Sequence, residues 1–130
     1  NEMKQRLGMA VLLITHAMGV VAETAQRVIV MYAGKVVEEA PVGALFATPL
    51  HPYTQGLIRS IPRLDLAATE HHRLEAIPGT VPSLLNPPIG CRFAARCRFA
   101  TDACRAAEPP LREVTPGHKV ACFLAESIAA

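Results

Sequence analysis

The chain has 130 residues, 51% of them hydrophobic, with 11 prolines, four cysteines and no tryptophan. That length suits one domain, or a domain with an appendage, and buries roughly two-thirds of the unfolded surface. A net charge of +2 gives no argument for nucleic acid, and two Tyr with four Phe offer little base-stacking surface, so no nucleic-acid partner is expected. The mean hydropathy of +0.26 is high for a free-standing soluble domain and implies apolar surface that meets other protein.

Residues 1–7 read as the end of a polar helix stopped by Gly8. Val11-Leu12-Leu13-Ile14 has no polar face and reads as a strand covered on both sides, as in a parallel sheet. It ends at Thr15-His16, and ligands in an α/β sheet are usually handled at the C-terminal ends of strands. A helix is expected from Met18 to Ala25, a second strand over Val28–Met31, a turn at Ala33-Gly34 and a third strand over Lys35–Glu38, with Glu38 and Glu39 at its solvated end. The first 40 residues hold no proline and the remainder hold all 11, so the pattern changes sharply at Ala40-Pro41. A short helix is expected over Pro41–Ala47, ended by Thr48-Pro49. His51-Pro52-Tyr53 opens another, Pro52–Ser60, with proline at the favoured first position and an apolar side of Leu57, Ile58 and Ile61. Leu64–His72, including His71-His72, reads as a polar connector, and Arg73–Ile77 as a strand ended by Pro78-Gly79. The prolines between Pro78 and Pro116 exclude long helices, and Lys119–Leu124 reads as a closing strand.

Two constellations carry chemistry. The first is His16. A neutral imidazole at a strand end accepts one hydrogen bond and donates another, so it can bridge a phosphate oxygen and an attacking water. A lone histidine implies no such role, but the surrounding residues do. Leu13-Ile14-Thr15-His16, the helix through Val20-Val21-Ala22-Glu23, and the run from Ala25-Gln26-Arg27-Val28 to Glu38 resemble the switch-histidine segment of ABC-transporter ATPases. The resemblance implies that His16 faces the γ-phosphate, positioned by Thr15 and the turn at Ala17. Ala17 departs from the family, which usually places an acidic residue there, where it would contribute about 0.3–1 kcal/mol at a helix N-terminus; Gln26 departs from a frequent Asp. The chain has no G-x-x-x-x-G-K-[ST] loop, no signature motif and no strand ending in an Asp-Glu pair. It also begins at Asn1, in the manner of a helix interior. It is therefore expected to be the rear part of a larger subunit, unable to hydrolyse ATP alone.

The second constellation is Cys91, Cys97, Cys104 and Cys122, separated by five, six and seventeen residues. A metal or iron–sulfur site, two disulfides and reduced structural thiols are all open. The gaps exceed those of tight zinc knuckles, whereas a four-iron cluster tolerates ligands from separate turns. Arg92, Arg96, Arg98 and Arg105 would offset thiolate charge, an argument that serves zinc equally, and Phe93, Phe99 and Phe123 would exclude water.

His51-Pro52-Tyr53-Thr54, Ile77-Pro78-Gly79-Thr80-Val81-Pro82, Gly90-Cys91-Arg92-Phe93 with Arg96-Cys97, then Cys104 and Val120-Ala121-Cys122, resemble the C-terminal extension of oligopeptide/dipeptide ABC importer ATPases. The resemblance implies an α/β fold: residues 1–40 as the C-terminal piece of a P-loop ABC ATPase domain, 41–72 as a helical connector, and 73–130 as a small irregular α+β extension. It implies ATP and Mg in the parent subunit, and a [4Fe–4S] cluster on the four cysteines in some members, holding the extension together rather than moving electrons. The partners it implies are transmembrane permease subunits and a second ATP-binding subunit, at the cytoplasmic face of the cell membrane. His51 is expected to start its helix rather than act as a ligand. The uncovered faces of Val11–Ile14 and Val28–Met31 favour self-association. Two other classes stand beside this reading. One is a stand-alone iron–sulfur protein. The other is a secreted disulfide-stapled binding module, if Leu7–Ala22, which follows Lys4 and Arg6, is a signal peptide.

Overall fold

The computed structural model describes residues 1–61 and 76–128. Two hairpins build its sheet. Strands β1 (Arg27–Tyr32) and β2 (Lys35–Pro41) pair antiparallel across Ala33-Gly34. Both turn residues are left-handed, with φ of 47° and 78°, the geometry whose twist matches that of the flanking strands. Ala33 is strained there, and the Arg92 guanidinium holds the turn by donating to the Ala33 carbonyl. The second hairpin joins β3 (Arg112–Thr115) to β4 (His118–Val120) through Pro116-Gly117. Because β4 also pairs with β2, the order is β1-β2-β4-β3, antiparallel throughout. Strands from both sides of Pro41 share this sheet.

The helices are short: α1 (Glu2–Leu7), α2 (Met18–Thr24), α3 (Val42–Ala47), α4 (Pro52–Arg59), α5 (Asp102–Ala106) and α6 (Ala125–Ile128). Gly8, with φ 61°, closes α1. His51 caps α4, its side chain accepting from the Tyr53 N–H, ahead of Pro52 in the first helical turn. The main core gathers Val30, Tyr32, Val37, Ala40, Leu45 and Phe93. Tyr32 meets Phe93 edge-on at 5.1 Å and Tyr53 at 4.8 Å between ring centroids, favourable aromatic geometry. A smaller cluster of Leu50, Val120 and Ala125 lies where β4 meets α6, with Cys122 against it.

Several expectations need correction. Val11–Ile14 forms no strand, and its side chains are exposed, Leu12 at 87% and Ile14 at 91%. A continuous apolar run specifies cover on both faces, and no strand of the described residues pairs with it. The sheet is antiparallel, not parallel. Glu38 is not at a solvated strand end; it is fully buried. The closing strand is shorter than Lys119–Leu124, because Ala121–Leu124 turn away after Val120. Ala76 and Ile77 lie in no strand; Arg73–Glu75 and the connector Leu64–His72 lie outside the described residues. The helix at Met18, strands β1 and β2, and helices α3 and α4 stand where the sequence placed them, within a few residues.

Candidate functional site

The four cysteines, spread over three turns of chain, border a single cavity together with His51 and Phe93. Gly90 makes this closure feasible. A Cβ there would sit 2.3 Å from the Cys104 carbonyl oxygen and 2.5 Å from that of Arg105. With glycine, the Cys91 N–H reaches the Cys104 carbonyl at 2.7 Å and binds the loop to α5. A 3₁₀ turn, Ala94–Arg96, then delivers Cys97. Cys122 arrives from β4, whose next residue, Ala121, donates to the Val37 carbonyl at 2.8 Å. All four cysteines are free; Cys104 is buried and the others are half-buried.

Burial disfavours the thiolates of Cys91, Cys97 and Cys122. It pushes Cys91 and Cys97 up, reinforced by the neighbouring sulfurs. Cys122 is raised to about 11, first by burial and then by Cys97, Cys91 and Cys104. Of the four arginines expected to offset this charge, Arg98 acts on Cys97 and lies over the Phe99 ring at 4.7 Å. The others are engaged elsewhere. Arg92 binds the hairpin turn, Arg96 binds the carbonyls of Ile77 and Pro78 at 2.8 Å and the Tyr32 hydroxyl at 3.3 Å, and Arg105 faces Asp102 at the surface. Phe93, Phe99 and Phe123 do border the cavity.

Among the described residues, no three His, Cys, Asp or Glu side chains gather closely enough to hold one metal ion. The donor set nonetheless has the chemistry an iron–sulfur group requires: four free thiols around one cavity whose described lining carries no carboxylate, amide or hydroxyl.

A second polar cluster, unforeseen from sequence, supports the cavity from behind. The Glu38 carboxyl oxygens accept from the Leu50 N–H at 2.7 Å and the His51 N–H at 3.0 Å, and Oε1 lies 2.7 Å from His118 Nε2. All of this is buried. His51 is itself 1% exposed, and burial holds its imidazole down at about 4, so it is neutral at ordinary pH. It caps α4 as expected, but it also lines the thiol cavity.

His16 stands apart from the thiols. It is exposed, in a bend ahead of α2. The Thr15 hydroxyl accepts from the Ala17 N–H at 3.0 Å and so brackets it. No helix of the described residues is long and apolar enough to cross a membrane.

Residues 37–104 match the family described as Oligopeptide/dipeptide transporter, C-terminal region. That is more than half of the chain, and the chain belongs to this family. It is 53% identical over 127 residues to a probable peptide ABC transporter ATP-binding protein, y4tR, of Sinorhizobium fredii, covering 98% of this chain and 37% of the relative. To the oligopeptide transport ATP-binding protein AppD of Bacillus subtilis it is 51% identical over 126 residues, 97% of this chain and 38% of the relative. To the dipeptide transport ATP-binding protein DppD of Escherichia coli it is 46% identical over 121 residues, 93% of this chain and 36% of the relative. The chain thus spans under two-fifths of the length of these curated relatives. None of the three names speaks for a secreted module or a stand-alone electron carrier, and those two classes find no support.

Proposed function

We propose that this chain is the C-terminal part of the ATP-binding subunit of a peptide-importing ABC transporter. The observation that carries this reading is sustained identity, 46% or more over at least 93% of the chain, to three proteins each named for peptide transport and ATP binding. In such a subunit the phosphate loop, the signature motif and the Asp-Glu strand belong to the portion ahead of residue 1. That portion would give Val11–Ile14 the flanking strands that its apolar residues call for. Without such cover, Val11–Ile14 and the outward Ile29 and Met31 of β1 favour self-association. ATP with Mg, permease subunits and a second ATP-binding subunit at the cytoplasmic face of the membrane complete the assembly.

In this reading His16 is the switch histidine. Its ring accepts from the attacking water and donates to the γ-phosphate, while Thr15 fixes the turn that carries it. His16→Ala, made in the whole protein as its gene encodes it, is expected to leave ATP binding intact and lower turnover about 10²-fold. Unchanged hydrolysis refutes the role.

Cys91, Cys97, Cys104 and Cys122 are the residues that would hold a [4Fe–4S] cluster. Their free state and shared cavity support this reading. Bound there, the group supplies a covalent cross-link between the 90–104 loop and the end of β4. Anaerobic purification with iron, sulfide and zinc analysis tests it: about four irons and four sulfides support the cluster, and one zinc or no metal refutes it.

A further inference from the structure

His51 borders the thiol cavity and is fixed on every side the described residues provide. Its backbone N–H donates to Glu38 Oε2 at 3.0 Å, and its ring lies 5.7 Å from the Phe93 ring, tilted by 58°. Nδ1 accepts the Tyr53 N–H at 3.0 Å. A nitrogen that accepts carries no proton, so the proton of the neutral ring sits on Nε2. Nε2 has no protein acceptor among the described residues, yet it is not among their buried unpaired atoms, of which Thr54 Oγ1 is the single case. The open space that this ring borders is the thiol cavity. The described side chains lining that cavity offer no acceptor but sulfur.

We propose that His51 donates its Nε2–H to a sulfur of the cluster or of a ligating thiolate, and so sets the electron affinity of the site. This rests on the four-cysteine reading above. A donor aimed at sulfur favours the more negative, reduced state, because hydrogen bonds to the sulfurs are among the factors that set such potentials. Capping and donation are separable by substitution. His51→Asn keeps an acceptor for the Tyr53 N–H and caps well, but it is too short to present a donor to the cavity. His51→Gln places an amide N–H near the position of Nε2.

The test uses the whole protein as its gene encodes it, reconstituted anaerobically with iron and sulfide, the metal counted and the midpoint potential read by EPR during reductive titration. His51→Asn is expected to lower the equilibrium constant for one-electron reduction about tenfold, a shift of about 59 mV to more negative potential, while His51→Gln stays within threefold of wild type. A wild-type measurement makes the result independent of how the variants fold. With 15N placed in the histidine imidazoles, the reduced cluster is expected to show a nitrogen hyperfine coupling. Full iron content with an unmoved potential in His51→Asn, or with no imidazole coupling in the wild type, overturns the proposal and leaves the cluster reading intact. Absence of iron and sulfide from the wild type overturns both.

Discussion

Replacing Glu38 by alanine should loosen the joint between the sheet and the His51 segment more than any other single change on β2. The carboxyl group has three buried partners: the Leu50 N–H at 2.7 Å, the His51 N–H at 3.0 Å and His118 Nε2 at 2.7 Å. No water reaches them, since Glu38 is 0% exposed and His118 4%. Each buried polar group left unpaired costs about 1–3 kcal/mol, and breaking a buried hydrogen-bonded pair by removing one partner costs about 3–5 kcal/mol. Taking the lower part of the first range for three groups gives a total of about 3–5 kcal/mol, in agreement with the second. Glu38→Gln should lose about half of that, because one oxygen remains while the new NH₂ faces an N–H donor. Amide hydrogen exchange on the whole protein reads this directly. At about 1.4 kcal/mol per tenfold, the Leu50 and His51 amides in Glu38→Ala should exchange about 10²–10³-fold faster than in wild type. Exchange within threefold of wild type at both amides would refute the account, and with it the claim that Glu38 is what fixes His51.

Gly90→Ala should cost about 3 kcal/mol, because its Cβ would meet two backbone carbonyls at 2.3 and 2.5 Å and prise Cys91 from α5. Gly43→Ala in α3, where a Cβ would meet nothing within 4 Å, is the calorimetric control and should be neutral or stabilising; equal melting of the two variants would contradict the close approach. Acid should also weaken the fold through His51. Its folded pKa is depressed from 6.5 to about 4, so the unfolded chain binds the proton first and stability is lost as pH falls through that window, by about 3 kcal/mol in full. Melting temperatures of wild type and His51→Asn should therefore diverge between pH 6.5 and pH 4, and parallel curves would count against the burial of a neutral ring.

The sequence was legible wherever a local rule decides the structure. Gly8 closes α1, Pro52 opens α4 and Ala33-Gly34 turns the first hairpin. It failed where the deciding partner is remote. Nothing near Glu38 signals burial; His118, its partner, lies 80 residues away, and the two amides belong to a loop beyond α3. Val11–Ile14 announces a need for cover but cannot name what provides it. Strand β3 is masked by the prolines on either side of it, Pro109-Pro110 and Pro116, and Pro-Gly flanked by Thr115 and His118 is the local turn signal that marks its hairpin. The arginines around the cysteines illustrate the same limit. Charge near a thiol in sequence is not charge near it in space, and three of the four serve backbone carbonyls, a hydroxyl or a surface carboxylate instead.

The position of the cysteines follows from what surrounds them. Between Val81 and Pro110 the buried residues are Gly90, Phe93, Ala94, Cys104 and Pro109, of which Phe93 is the one large apolar side chain. Burying one phenylalanine contributes about 3 kcal/mol, whereas ordering each residue costs about 1–2 kcal/mol of backbone entropy. A thirty-residue stretch of this kind needs attachment from outside its own core, as small domains need disulfides or metals. Part of that attachment is visible: Arg92 to the β1–β2 turn, Arg96 to Ile77, Pro78 and Tyr32, and the Cys91–Cys104 backbone bond. Cys122 is the one thiol contributed from outside the stretch, and it sits beside the small core of Leu50, Val120 and Ala125. A group bonded to all four sulfurs would therefore tie the poorly cored segment to the sheet at the point where packing alone is weakest. Cys122, rather than the three upstream cysteines, is the ligand whose loss would detach it.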